Sequence, residues 1–239
     1  MILGYGKMGK EIESILLQRN HTIAAIVETT EEIGNYSPDE VDVAIDFTQP
    51  EAALPNIKAC AEAHIPIVVG TTGWYSQKED AVRRVNQNQS ALFYASNFSI
   101  GVHLFFQVNR YLASLMNSHP YSVSMSETHH IHKKDAPSGT AITTLEHIAD
   151  MHSQYESWQL VDTLKEPTKA NHIPIKAIRL DDVPGTHEVR WESDVDQIQI
   201  IHTAHNRKGF ALGAVIAAEW LYGKKGIFTM DDMLKTTLT

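Results

Sequence analysis

Cysteine is nearly absent: Cys60 is the only one in 239 residues. A single cysteine excludes an intrachain disulfide framework and a multi-cysteine zinc site, and it fits a reducing compartment. Long apolar runs are missing too; none approaches the roughly 20 residues that a membrane span needs. Positive charge is in deficit, with 20 Lys and Arg against 29 Asp and Glu for a formal net charge of −9. That balance argues against nucleic acid, whose binders carry basic faces, and against anionic membrane surfaces. The chain does not open on a basic region followed by a long apolar core, so no secretory leader is expected and a cytoplasmic location is. Neither an internal repeat nor a low-complexity tract interrupts it. What is present is ordinary for a globular protein: a hydrophobic content of 43%, enough core for one large or two small domains.

Against this acidic background one segment concentrates positive charge. Glu127-Thr128-His129-His130-Ile131-His132-Lys133-Lys134-Asp135-Ala136-Pro137-Ser138-Gly139-Thr140-Ala141 sets three histidines and two lysines directly before a small-residue helix start. Cationic donors and uncommitted backbone N–H groups would meet there, a combination suited to a small, doubly negative ligand.

The first hundred residues alternate strand and helix. Met1-Ile2-Leu3 is a short apolar strand, Gly4-Tyr5-Gly6-Lys7-Met8-Gly9 a glycine turn, and Ile12, Ile15 and Leu16 the apolar face of a helix. This context is what a dinucleotide fingerprint requires: glycines for a sharp turn and close backbone approach, with a helix N-terminus facing the pyrophosphate. A second strand, Ile23 to Val27, ends in Glu28, about 20 residues past the glycines, where an acidic side chain accepts from ribose hydroxyls. Strands at 43–47, 65–69 and 91–95 alternate with helices at 50–64 and 76–89, which predicts a parallel sheet covered on both faces. Ligands bind such sheets beyond the carboxyl ends of the strands. Phe47 and Thr48, Gly70, Thr71 and Thr72, and Ala95, Ser96, Asn97 and Phe98 stand there as the expected cofactor rim.

After Asn97 the pattern changes. Helices are expected at 100–116 and 138–152, and strands at 121–130, 175–180, 188–193 and 197–205. Strands without regular helices between them suggest a mixed or antiparallel sheet with helices on one face. The stretch from Gln154 to His172 is weakly patterned and reads as a long loop. Helices at 210–221 and 230–238 close the chain. The fold expected is thus α/β, a Rossmann-like dinucleotide-binding domain (1–97 and 208–239) with an inserted α+β domain (98–207) for substrate and assembly.

The central run resembles the hallmark of the dihydrodipicolinate reductases, E-x-H-H-x-x-K-x-D-A-P-S-G-T-A, at each fixed position. Ile45-Asp46-Phe47-Thr48, Gly70-Thr71-Thr72-Gly73, Asn97-Phe98-Ser99-Ile100-Gly101, and His202, Arg207, Phe210-Ala211 and Gly213-Ala214 resemble further family segments, in order along nearly the whole chain. The resemblance implies NAD(P)H-dependent reduction of a cyclic imine dicarboxylate to tetrahydrodipicolinate in the diaminopimelate route to lysine, by a homotetramer joined through its second domain. It implies that His129 is the general acid and that Lys133 pairs with a substrate carboxylate or the developing nitrogen charge. His130, Ser138, Gly139, Thr140 and Arg207 would bind substrate, with hinges near Asn97 and Arg207 closing the cleft.

Three departures from the family pattern matter. The glycine loop is one residue shorter than the common family form. The opening strand is short enough to lead us to expect native residues ahead of it. Thr29 and Thr30 follow Glu28 where relatives that accept NADPH carry arginine, so NADH is the expected cofactor, with NADPH possible. Metal is not expected, because adjacent strand histidines such as His129 and His130 point to opposite faces. Two rivals are a semialdehyde dehydrogenase, which needs a cysteine nucleophile at a strand end where Cys60 is mid-helix, and a catalytically silent NAD-binding redox regulator. Intact His129 and Lys133 argue against the latter.

Overall fold

The computed structural model describes residues 1–181, 183–206 and 208–236, so the expected role of Arg207 lies outside the described residues. The chain divides into two compact units, one formed by residues 1–100 with the chain from Lys208 onward, the other beginning at Gly101.

The first unit begins β1 (Ile2–Leu3), α1 (Lys7–Gln18), β2 (Ile26–Val27), a 3-10 turn (Thr30–Asn35), β3 (Ala44–Asp46), α2 (Pro50–Glu62), β4 (Ile67–Val69), α3 (Lys78–Gln87) and β5 (Ala91–Tyr94). The second unit follows with α4 (Ile100–Met116), β6 (Ser122–His129), α5 (Gly139–Met151), β7 (Ser157–Leu160), β8 (His172–Arg179), β9 (Gly185–Glu192) and β10 (Gln197–Ala204). The chain then returns through α6 (Lys208–Leu221), β11 (Gly226–Phe228) and α7 (Met230–Thr236).

In the first unit the strands form a wholly parallel sheet ordered β11-β5-β4-β3-β1-β2. Its strands are apolar on both faces, as a sheet covered by helices on each side demands. Ile57, Cys60, Trp74 and Val85 pack on one side; Ile12, Phe93, Phe98 and the small residues of α6 pack on the other. α6 lies close because its inner face is Ala211, Gly213, Ala214, Ala217 and Ala218; a Cβ on Gly213 would fall 1.7 Å from the Phe98 carbonyl oxygen. Cys60 is fully buried within α2, and burial pushes its thiol up, so it is no nucleophile.

The second unit is a mixed sheet ordered β10-β9-β6-β8-β7. β6 runs antiparallel to β9 and parallel to β8. Along β6 the buried residues alternate (Val123, Met125, Glu127, His129) and share a core with Phe105, Leu145, Ile148 and Trp191. Two carboxyl and imidazole side chains therefore occupy positions that the alternation reserves for core.

The structure corrects several boundaries. The strand expected from Ile23 shrinks to Ile26–Val27, since β2 is an edge strand whose one neighbour is itself two residues long. The helix expected over 76–89 divides into a 3-10 turn, Tyr75–Gln77, and α3. The expected loop at 154–172 contains β7, an edge strand paired only with β8 and too exposed to show alternation. β11 was not anticipated; it too lies at an edge and spans three residues.

Candidate active site

On the first unit, β1 delivers the chain into the glycine turn. Gly4 has φ +84, and a Cβ there would stand 2.8 Å from the Phe47 carbonyl oxygen. A Cβ on Gly9 would fall 2.2 Å from the Gly4 carbonyl, so α1 can start only where this residue has no side chain. Gly6 differs: it is exposed, caps α1 without a side-chain bond, and has no atom within 4 Å of where a Cβ would stand. The first-turn N–H groups of α1 thus meet an open approach, which fits a pyrophosphate. Tyr5 sits in this turn with its hydroxyl donating to Glu13; Lys7 is exposed and Met8 half-buried.

Glu28 is exposed just beyond β2. Beside it Thr29 donates to Glu32 at 2.9 Å and Thr30 to the side-chain carbonyl of Asn56 at 2.6 Å. The neighbouring strand ends are tied together by Asp46, a fully buried carboxylate at the end of β3. Its Oδ1 accepts from Thr48 N (2.9 Å), Thr48 Oγ1 (2.7 Å) and Thr71 Oγ1 (2.8 Å), and its Oδ2 from Asn56 Nδ2 (2.9 Å). Three loops of the rim, those carrying Thr30, Thr48 and Thr71, are therefore joined through one anion and one amide. The Phe47 ring lies where a Cβ of Gly70 would stand, at 2.1 Å, and packs 5.9 Å from Phe98. Thr72 and Ser96 are exposed, Ala95 and Phe98 buried, and the Asn97 side-chain carbonyl accepts from Ser99 N at 2.8 Å.

On the second unit a second buried carboxylate, Glu127, occupies the centre. Both of its oxygens lie 3.1 Å from the Ser138 N–H. Oε2 is 3.3 Å from His129 Nδ1 and 3.8 Å from His187 Nε2, while Oε1 is 3.1 Å from the Arg179 guanidinium. The His129 contact is ionic in length but off the line of a good hydrogen bond. Burial would raise a carboxyl; here the contacts from His129 and Ser138 outweigh it and bring Glu127 down to about 2. His187 goes to about 3 because it is buried and faces the positive form of His129, against the opposing pull of Glu127. His187 and His129 rings meet edge-on at 5.1 Å, and a Cβ on Gly185 would lie 3.0 Å from His129 Nε2.

The turn after β6 carries Lys133, whose Nζ pairs with Asp135 at 2.8 Å; that hydrogen bond holds the Asp135 carboxyl below its usual range. Arg179 pins the same turn by donating to the Asp135 carbonyl at 2.6 Å. His130 stands just past the strand, half-buried. Ser138 caps α5, accepting from Ala141 N at 3.2 Å, and its hydroxyl lies 3.1 Å from His187 Nε2. Ser138 is thereby committed to the protein itself. Gly139, next to it, is exposed, with no atom within 4 Å of where a side chain would be; Thr140 follows, half-buried.

His129, Lys133, Ser138, Gly139 and Thr140 thus gather around one turn. Sequence reasoning gave no role to Glu127, Arg179, His187 or Asp46. The first three become partners only through strand register, Glu127 opposite His187 and His129 opposite Arg179, which no local pattern reveals. Glu127, His129 and His187 also bring ligand-type atoms within 4.8 Å of one another, a set distinct from the adjacent histidines weighed against zinc. The carboxylate is already engaged by Ser138 and Arg179, and the guanidinium opposes a cation, so this is an ionic hydrogen-bonding network.

Comparison with known proteins bears on the family and the fold. Residues 1–98 match the family model described as dihydrodipicolinate reductase, N-terminus, and residues 101–234 the one described as dihydrodipicolinate reductase, C-terminus. A 4-hydroxy-tetrahydrodipicolinate reductase of Christiangramia forsetii is 47% identical over 234 residues, covering 98% of this chain and 96% of that protein. Among solved structures, a dipicolinate-bound dihydrodipicolinate reductase of Paenisporosarcina sp. TG-14 shares the fold, with a TM-score of 0.74, 24% identity, and 95% and 96% of the two chains covered. An amine dehydrogenase of Mycobacterium smegmatis is a more distant fold relative, with a TM-score of 0.59, 10% identity, and 95% and 93% covered.

Proposed function

The chain belongs to the dihydrodipicolinate reductase family, and on that premise we propose that it is an NAD(P)H-dependent 4-hydroxy-tetrahydrodipicolinate reductase of the diaminopimelate route to lysine. The observation that carries the reading at residue level is one buried carboxylate, Glu127, that contacts both His129 and the Ser138 N–H at the head of the open Gly139 turn, with Lys133 on the segment between them, in an otherwise acidic protein. Lys133 exchanges Asp135 for one carboxylate of the substrate. The Gly139 and Thr140 turn at the start of α5 receives the other, with the helix dipole favouring the anion. His130 borders the ring.

Gly4 to Gly9, Glu28, and the rim from Phe47 to Phe98 would hold the cofactor. Reduced nicotinamide, when bound, supplies the hydride. Hydride addition leaves the substrate ring with an electron-rich, enamine-type carbon; His129 delivers a proton to that carbon from Nε2, the nitrogen turned away from Glu127. Lys133 offsets the negative charge of the ring carboxylate while this happens.

The preferred cofactor is NADH. Glu28 is followed by Thr29 and Thr30 and then by Glu31 and Glu32, and no basic residue lies from Glu28 to Asn35, so a 2′-phosphate meets like charge with no guanidinium to offset it. The active form is a homotetramer, which the exposed Ile198 and Ile201 on edge strand β10 support. The location is cytoplasmic, in keeping with one buried free thiol and with the absence, among the described residues, of any helix long and apolar enough to cross a membrane.

The test is the decay of NADH absorbance with enzymatically generated hydroxytetrahydrodipicolinate, comparing wild type with His129→Ala. Turnover in the wild type and a loss of at least a hundredfold in the variant are expected; an inert wild type refutes the assignment. Titration with both cofactors checks selectivity: a higher kcat/KM with NADPH would overturn the role given to Glu28.

A further inference from the structure

We propose that Glu127 is the positioning residue of the reaction: it fixes which nitrogen of His129 carries the transferable proton and ties that ring to the turn that receives the substrate. This rests on the role of His129 given above. Glu127 precedes His129 by two residues on β6, so both side chains leave the same face of the strand. It is fully buried, and its near contacts reach the acid, the head of the turn and Arg179, with His187 farther off at 3.8 Å. Oε2 faces His129 Nδ1 at 3.3 Å, which favours a proton on Nδ1 in the neutral ring and leaves Nε2 to exchange with substrate. Both oxygens receive the Ser138 N–H, which places the first residues of α5. Oε1 holds Arg179, which in the same pose grips the Asp135 carbonyl and so the turn bearing Lys133.

The other groups facing the ring do not take over this task. His187, on β9, packs edge-on against His129 and keeps its own Nε2 on the Ser138 hydroxyl. His202, on β10, lies behind His187 with ring centres 6.4 Å apart. Lys133 and Asp135 pair with each other. Arg179 reaches the carboxylate and not the imidazole. Among the described residues, Glu127 is the anion facing Nδ1, and it is held there from two sides. A carboxylate that merely stabilised the fold would leave kcat unmoved once its charge is removed with the fold intact.

The first experiment uses the unaltered protein. Nitrogen-15 NMR of the histidine side chains at a pH where the ring is neutral reads the tautomer directly, with His129 assigned by comparison with His129→Gln. The proton is expected on Nδ1; an Nε2-protonated ring in the wild type overturns the proposal, whether or not the protein turns over substrate. The second experiment is Glu127→Gln, which keeps an oxygen for the Ser138 N–H but removes the charge. We expect kcat to fall ten- to a hundredfold, KM for substrate and Kd for NADH to stay within threefold, and the tautomer population to redistribute. Glu127→Asp, which keeps the charge but withdraws it by one methylene, is expected to lie between. Unchanged kcat in Glu127→Gln, or a loss confined to KM, refutes the proposal. Should the variants fail to fold, the wild-type tautomer decides alone. A wild type that oxidises no NADH refutes the assigned reaction but leaves the tautomer result standing.

Discussion

The buried His187 makes acid a specific threat to the second unit, and the size of that threat follows from its surroundings. Burial and the neighbouring His129 lower it from 6.5 to about 3. The folded state therefore resists protonation that the unfolded chain accepts. The sign follows directly: above pH 6.5 both states are neutral and nothing is lost, while below it the unfolded state gains protons first and stability falls until about pH 3. The slope approaches about 1.4 kcal/mol per pH unit, so between pH 7 and pH 5 this group alone removes about 2 kcal/mol. Glu127 acts in the same direction but later, between its ordinary 4.5 and about 2, and contributes little above pH 5. The assay is native-state hydrogen exchange of the β6 and β9 amides, which reports opening of this sheet without requiring the whole chain to unfold in one step. Wild type is expected to lose about 2 kcal/mol more than His187→Gln between pH 7 and pH 5. His152, also lowered by burial but packed against Tyr155 and Trp191, adds equally to both proteins and cancels in the difference. Parallel losses in the two proteins would refute the reasoning.

Three further outcomes can be checked. Lys133→Ala removes a charged hydrogen bond of about 1.5–3 kcal/mol and should reduce kcat/KM by between tenfold and somewhat over a hundredfold, with the circular dichroism melt unchanged. Gly6→Ala and Gly9→Ala should separate: the first meets no neighbouring atom, so thermal stability stays within about 0.5 kcal/mol while NADH affinity falls in a fluorescence titration. The second collides with the Gly4 carbonyl and should destabilise the first unit by more than about 3 kcal/mol. Thr71→Val takes a donor from Asp46 and an acceptor from the Thr48 N–H, so urea denaturation should show a loss of about 1–3 kcal/mol together with weaker NADH binding.

Elements with strong local signals were legible from sequence. The glycine turn, the helix that follows it and the long helix α4 stand where periodicity and composition place them, because the information is carried within a dozen residues. The short edge strands β7 and β11 were not, since a strand with one neighbour and little burial leaves almost no alternation to read. The site divides in the same way. His129, Lys133 and Gly139 lie in one contiguous run, and their meeting is a local matter. Arg179 and His187 reach the same point from 52 and 60 residues beyond Glu127, and only the pairing of β6 with β8 and β9 brings them there. Asp46 was visible as a residue, but its role depends on Thr71 and Asn56 closing over it from other elements.

The ion pair between Lys133 and Asp135 gives binding the character of a trade. An arriving carboxylate does not find a bare ammonium; it evicts a resident one already 2.8 Å away. A ligand with a single carboxylate exchanges like for like and gains little. Under the roles proposed above for Lys133 and the α5 turn, a ring bearing two would evict Asp135 with one and occupy the turn with the other. On that proposal, discrimination in favour of a dicarboxylate would reside in the protein's own ion pair, a resident carboxylate that lesser anions cannot profitably replace.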